Sequence, residues 1–212
     1  MNSSSSKAII SLTSWRGRIN TVSKTIYSLL KMCPGFHIVL TLSKSEFPLK
    51  DNELPESLML LVNDGYVELL WVDKNYKSYK KWIFTSQKYK KVPIISADDD
   101  CIYLFNYANE LYVNWLETPK YVIRYPGPLN TPWNHSVSGP WTIYPRFDSF
   151  GRYVLDQLHK LPDSEIEKSF DDDFYCRVIR DFNIPHRGLR GISSYDGLIH
   201  FFSQDNGLHS KK

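Results

Sequence analysis

The stretch Val92–Tyr103, VPIISADDDCIY, decides how this chain is read. Its apolar part, Pro93–Ala97, predicts a short buried strand, and Asp98, Asp99 and Asp100 end it. Like charges this close repel one another. At a strand end inside a crevice, such a cluster makes sense when a cation neutralises it. In an extended segment alternate side chains share a face, so Asp98 and Asp100 are expected to point the same way. Hard carboxylate oxygens suit Mg²⁺ or Mn²⁺, ions that commonly grip phosphates. The plain alternative is a solvated acidic turn, because isolated D-x-D strings are common by chance.

Outward from this stretch, strand and helix signals alternate. Lys7–Thr13 (KAIISLT), His37–Leu42 (HIVLTL) and Val67–Val72 (VELLWV) predict three further strands. Between them, Ile19, Val22, Ile26, Leu29 and Leu30 recur at helical spacing until Pro34-Gly35 stops the helix. Pro55–Leu61 and Tyr79–Tyr89 predict two more helices. A β-α-β-α-β-α-β order implies an α/β fold, Rossmann-like, with a mostly parallel sheet and helices on both faces. Ligands of such sheets bind beyond the carboxyl ends of the strands. Thr13–Arg18, Ser43–Glu46, Asp73–Asn75 and Asp98–Asp100 all follow strand ends and are expected to line one rim.

The second half is less regular. Tyr107–Leu116, Tyr153–Leu161 and Asp172–Phe182 predict helices, Tyr121–Tyr125 and Trp141–Tyr144 short strands, and Pro126–Pro140 a binding loop. The tail from Asn183 is Gly-rich and carries little pattern. The expectation is a single domain over 1–212, with a flexible lead at 1–6, a ligand-binding half at 7–105 and an irregular half at 106–212.

Composition narrows the class. The net charge of +3, from 26 basic and 23 acidic residues among 212, is too balanced to argue for nucleic acid. One lysine cluster, Lys74, Lys77, Lys80, Lys81, Lys88, Lys90 and Lys91, would attract phosphates or an anionic membrane surface, or form a solvated helix face. The 15% aromatic share, with 14 Tyr and 6 Trp, suits stacking on a sugar or nucleotide, or a Tyr-rich core. Cys33, Cys101 and Cys176 are scattered without metal-ligand spacing and fit reduced thiols in a cytoplasmic protein. MNSSSSK has neither the basic nor the apolar region of a signal peptide, and no run approaches the roughly 20 apolar residues of a membrane span. The expected location is cytoplasmic, with peripheral membrane contact as a further option.

Three other groups carry chemistry. Arg16 and Arg18, in the loop after the first strand, suit bidentate phosphate or carboxylate binding. Lys80 and Lys81 precede the fourth strand and would neutralise a leaving diphosphate. Asp171, Asp172 and Asp173 open a predicted helix, either capping it or supplying a general base. His186, His200 and His209 are candidates for a third metal ligand. No Gly-rich phosphate loop, G-x-S-x-G elbow or paired zinc motif is present, which weakens kinase, dehydrogenase and hydrolase readings.

In combination, ISLTSWRGRI (Ile10–Ile19), LSKSEFP (Leu42–Pro48) with Leu54-Pro55, and SYKKW (Ser78–Trp82) before PIISADDDCIY resemble a bacterial family of nucleotide-sugar glycosyltransferases. Arg124, GPWTIYP (Gly139–Pro145) and DDFY (Asp172–Tyr175) extend the resemblance to about Phe182. Gly139-Pro140 departs from the family's Gly-Gly, and Phe174-Tyr175 from its Ile-Trp, so the acceptor side matches less well than the donor side. The resemblance implies a GT-A-like fold, a nucleotide-diphosphate sugar donor and a divalent metal, Mn²⁺ or Mg²⁺, held through Asp98 and Asp100. It places Asp99 nearer the ribose or sugar, Thr13, Arg16 and Arg18 around the nucleotide, Lys81 beside the donor, and Asp172 or Asp173 as base. The expected reaction moves a sugar, from a UDP-sugar first, to a hydroxyl of a surface glycan or lipid-linked glycan. A metal-dependent phosphohydrolase and a non-catalytic carbohydrate-binding protein are the alternatives.

Overall fold

The computed structural model describes residues 7–125, 141–162, 164, 166, 171–189 and 198–200. The first half follows the predicted order: β1 (Ile9–Thr13), α1 (Val22–Met32), β2 (His37–Ser43), α2 (Glu56–Asn63), β3 (Glu68–Val72), α3 (Lys80–Lys88) and β4 (Ile94–Ser96). After it come β5 (Cys101–Tyr103), α4 (Tyr107–Glu117), β6 (Val122–Arg124), β7 (Thr142–Tyr144), α5 (Phe147–Leu158), α6 (Asp171–Asp181), β8 (His186–Gly188) and β9 (Leu198–His200). Seven strands form one sheet in the order β3-β2-β1-β4-β7-β6-β8, and β5 pairs with β9 apart from it. The pairs β1–β2, β2–β3 and β1–β4 are parallel, whereas β7 runs antiparallel to both β4 and β6.

Both sheet faces are covered, and the two-residue period of a strand explains how. On β1 and β2, Ile10, Leu12, Ile38, Leu40 and Leu42 join one apolar cluster with Val22, Ile26 and Leu29 of α1, Leu58 and Leu61 of α2, and Leu111 of α4. Ile9 and Val39 point the other way, into a second cluster with Trp82 and Ile83 of α3, Phe150 and Val154 of α5, and Tyr175 and Val178 of α6. The aromatic excess is largely spent here. Trp82 packs against Tyr144, Phe150 and Tyr175 at ring-centroid distances of 5.5, 5.1 and 5.8 Å. Trp141 does the same on the other face with Tyr103, Phe105, Tyr107 and Tyr125, at 4.8 to 5.8 Å. The Tyr-rich core, rather than a stacking platform, accounts for these rings.

Several boundaries differ from expectation for local reasons. α5 begins at Phe147, six residues before the predicted start, and contains Gly151. A mid-helix glycine costs about 1 kcal/mol, which hides the helix in a pattern reading. Here it is required, because a Cβ at 151 would run into the Phe147 ring. The strand β5 directly follows the aspartates and was not expected, nor were β8 and β9. The lysine cluster is not one patch either, since Lys80 and Lys81 are buried while Lys88 is exposed beside Glu68. The predicted loop Pro126–Pro140 and His209 lie outside the described residues. No helix among those described is long and apolar enough to cross a membrane.

At the sheet end where β2 and β3 begin, Glu68 ties strands to helix. It accepts hydrogen bonds from His37 Nε2 at 2.8 Å, Lys88 Nζ at 2.6 Å and Tyr89 Oη at 2.5 Å. Burial works to raise the Glu68 carboxyl, but the three donors outweigh it and hold the group down at about 2. A carboxylate with a depressed folded-state pKa stabilises the fold above its ordinary value and loses that contribution as pH falls toward about 2. Glu68→Gln is therefore expected to cost about 1–2 kcal/mol at pH 7, discounted for partial exposure. Urea denaturation at pH 7 and pH 3 checks it: the gap between the two proteins should shrink at the lower pH.

Candidate active site

The carboxyl ends of β1, β2, β3 and β4 do converge, as side-chain bonds between their following segments show. Arg16 reaches the Glu46 carbonyl after β2, and Lys44 pairs with Asp73 after β3 at 2.8 Å. Lys80, at the start of α3, donates to Glu46 Oε2 at 3.0 Å and to Asn75 Oδ1 at 2.6 Å. Burial lowers the Lys80 ammonium from its ordinary value, with Glu46 opposing the shift.

The acidic triplet forms a turn between β4 and β5, so the alternation of an extended strand does not apply to it. Asp99 and Asp100 both meet Arg18: its Nη1 lies 2.8 Å from Asp99 Oδ1 and 2.8 Å from Asp100 Oδ2. Asp98 turns instead to Lys81 Nζ at 3.0 Å. The turn is fastened from below. Ser14 donates to Asp99 Oδ2 at 2.6 Å, Thr25 of α1 donates to the Asp99 carbonyl at 3.0 Å, and the Asp98 N–H donates to Tyr103 Oη at 2.8 Å. Asp99 is 6% exposed, and burial pushes its carboxyl up to about 6 against the pull of Arg18 and Ser14. Asp98 keeps some contact with solvent, yet desolvation by the crevice walls raises its carboxyl too, with Lys81 opposing and Asp100 adding to the rise.

The second triplet meets the first through one residue. Lys81 Nζ is 3.1 Å from Asp171 Oδ2, so the same ammonium holds Asp98 and the first residue of α6. Asp171 is buried and Asp173 exposed; the side chain of Asp172 lies outside the described residues. The sequence expectation had turned on Asp172 and Asp173, and the structure brings Asp171 to the acidic turn.

Other expected residues are distributed differently. Arg16 turns away from the aspartates to pair with Glu53 and lie over the Phe47 ring, 5.3 Å from its centroid. Thr13 spends its hydroxyl on the Thr41 carbonyl of the neighbouring strand at 2.7 Å. His186 lies on the edge strand β8, its Nδ1 3.1 Å from the Ile184 carbonyl. Ser14, Thr25 and Tyr103 were not foreseen as partners of the turn; a small hydroxyl directly after β1 was the signal for Ser14, the end of the PIISADDDCIY motif the signal for Tyr103, and none marked Thr25.

Among the described residues, four carboxylates, Asp98, Asp99, Asp100 and Asp171, are met by the cations of Arg18 and Lys81. Their hard oxygen donors fit a divalent cation. Among the described residues no three His, Cys, Asp or Glu side chains form a ready-made metal cage.

No protein-family model and no curated protein matches the sequence. Solved structures match the fold. The glycosyltransferase GlyE of Streptococcus pneumoniae TIGR4 superposes at a TM-score of 0.58 with 11% identity, covering 93% of this chain and 56% of its own. The mannosyltransferase PcManGT from Pyrobaculum calidifontis, determined in complex with GDP-Man and Mn²⁺, matches at 0.59 with 13% identity, covering 96% and 59%. S. aureus TarS 1–349, in complex with UDP-GlcNAc, gives 0.58 with 11% identity, covering 97% and 60%. The chain therefore has the mixed α/β architecture of GT-A-like glycosyltransferases and spans 56–60% of the length of these three.

Proposed function

We propose that this chain is a metal-dependent glycosyltransferase that moves a sugar from a nucleotide-diphosphate donor, a UDP-sugar first, to a hydroxyl of a glycan or lipid-linked glycan acceptor. The observation that carries this reading is the acidic turn Asp98–Asp100 at the carboxyl end of β4, braced by Arg18 and Lys81. That is where an open α/β sheet receives a ligand. The fold likeness to proteins crystallised with GDP-Man and Mn²⁺ and with UDP-GlcNAc supports the choice of ligand class.

Asp98 and Asp100 would hold the ion, Mn²⁺ or Mg²⁺, which supplies Lewis-acid stabilisation of the leaving diphosphate. Arg18 uses one terminal nitrogen for both carboxylates, while its buried Nε has no partner among the described residues. That unmatched donor suits a phosphate oxygen. In direct displacement the acceptor oxygen bonds to the sugar's anomeric carbon as the bond from that carbon to the diphosphate oxygen breaks. The nucleoside diphosphate leaves with the bonding electron pair, and the acceptor proton passes to a carboxylate, Asp172 or Asp173. Thr13 and Arg16 border the nucleotide in this reading and do not touch the reacting atoms.

A second reading rests on one observation. The 4-diphosphocytidyl-2C-methyl-D-erythritol synthase structure matches at a TM-score of 0.55 with 10% identity over 94% of both chains, so the same fold also serves that synthase. Nucleotidyl transfer would then replace sugar transfer.

A thermal-shift panel separates the two. UDP-GlcNAc, GDP-Man, a CMP-sugar and CTP would be tested with and without Mn²⁺ on the wild type, Asp98→Ala and Asp100→Ala. A nucleotide sugar at 100 times its Kd should stabilise the wild type by about 2.7 kcal/mol, only with Mn²⁺, and neither variant. Stabilisation that ignores Mn²⁺ and survives both substitutions would exclude the acidic turn as the donor site. Stabilisation by CTP alone would favour the nucleotidyl reading.

A further inference from the structure

The start of a helix is a poor place for a cation, because the helix dipole repels it, and burial makes matters worse. Lys81 nevertheless stands in the first turn of α3 at 5% exposure. Its ammonium is the link between two acidic segments far apart in the chain, at 3.0 Å from Asp98 Oδ1 and 3.1 Å from Asp171 Oδ2. Its backbone is fixed as well, since Ser11 of the central strand β1 donates to the Lys81 carbonyl. Ser11 also shares a hydrogen bond with Thr85, one turn further along α3, at 2.7 Å. The line of contacts therefore runs from the middle of the sheet, through α3, to the first residue of α6.

Asp171 is 7% exposed and pairs with Lys81. It begins the helix whose next residue is Asp172. On the far side, the rest of α6 is held by apolar packing of Phe174, Tyr175, Val178 and Ile179 in the second core cluster. That packing grips the helix from Phe174 onward, while the buried carboxylate that opens it, Asp171, needs a polar contact. The ion pair supplies one with direction and charge.

We propose that Lys81 is a positioning residue: its pair with Asp171 docks the start of α6 against the acidic turn and thereby fixes the helix that carries the candidate base beside a donor bound at Asp98–Asp100. The inference rests on the transferase reading and deepens it, for the sequence resemblance had placed Lys81 at the donor alone. A lysine that only neutralised the diphosphate would have no need of Asp171. A lysine that docks α6 makes turnover depend on Asp171 while donor binding does not.

The test compares wild type, Asp171→Asn, Lys81→Met and the double variant in three measurements. These are amide hydrogen exchange across Asp171–Asp181, thermal stabilisation by UDP-GlcNAc or GDP-Man with Mn²⁺, and kcat and KM for release of the nucleoside diphosphate. Asp171→Asn, the milder change, should speed exchange in the first turn of α6 and lower kcat by about 10- to 100-fold, the scale of a small misplacement at a reacting centre. Donor KM and thermal stabilisation should stay within about twofold. The double variant should exchange no faster than Lys81→Met, since the Lys81–Asp171 pair is lost in both. Wild-type exchange in both single variants would overturn the proposal, and so would a kcat for Asp171→Asn equal to wild type. If the wild type neither binds nor turns over these donors, the transferase reading fails by itself, and the exchange measurement still decides whether Lys81 docks α6.

Discussion

Asp98→Asn is expected to lower turnover of a nucleotide sugar by about 100-fold or more, the range seen when a charge-stabilising group is removed from a reacting site. The ligand-free protein should remain as stable as before or become slightly more so. The sign follows from the raised carboxyl of Asp98: desolvation, only partly opposed by Lys81, makes its negative charge unfavourable in the folded chain. A neutral amide removes that cost, and Lys81 retains Asp171. Breaking a buried pair ordinarily costs about 3–5 kcal/mol because a charge is stranded, and here none is. Asp100→Asn should show the same loss of turnover, with Arg18 still held by Asp99. Urea denaturation beside a donor-turnover assay checks the split between activity and stability. Near-wild-type turnover in both variants would remove the acidic turn from the chemistry. A loss of several kcal/mol with Asp98→Asn would make it a structural turn.

The second large effect concerns Trp82, next to Lys81 in the chain. Its side chain is wholly buried between α3, β7, α5 and α6, against Tyr144, Phe150 and Tyr175. Trp82→Ala is expected to destabilise the fold by about 3–5 kcal/mol, through lost transfer energy and the cavity left among rigid rings. Trp82→Phe should cost much less, about 1–2 kcal/mol, because the indole Nε1 has no hydrogen-bond partner among the described residues and removing it relieves a buried unsatisfied donor. Denaturant midpoints with unchanged slopes would show both as stability effects. A cost below about 1 kcal/mol for Trp82→Ala would mean that the cluster repacks freely and does not hold α3 in place.

Much of the donor half was legible because its signals are local. Ile9–Thr13, His37–Ser43 and Glu68–Val72 are apolar runs bounded by turn residues, and their alternation with helical spacing implied parallel strands with a shared rim. Bonds from Arg16, Lys44 and Lys80 across that rim bear this out. The second half was less legible because its strands are three residues long and its sheet mixes directions. Three residues carry no period, and antiparallel insertion of β7 beside β4 depends on contacts distant in sequence.

The site divides in the same way. By itself the sequence determined that two acidic triplets, two arginines and a Lys-Lys pair stand beside strand and helix ends, because residue type and local pattern suffice for that. Which carboxylate meets which cation was decided only in three dimensions. The aspartates sit in a turn, so Asp99 and Asp100 share Arg18 while Asp98 goes to Lys81. Arg16, two residues from Arg18, leaves for Glu53. Asp171, not its exposed neighbour Asp173, reaches Lys81, since apolar packing of Phe174, Tyr175, Val178 and Ile179 fixes the rotation of α6. Side-chain pairing across a crevice is set by the packing of elements remote in the chain, and no spacing within one segment encodes it.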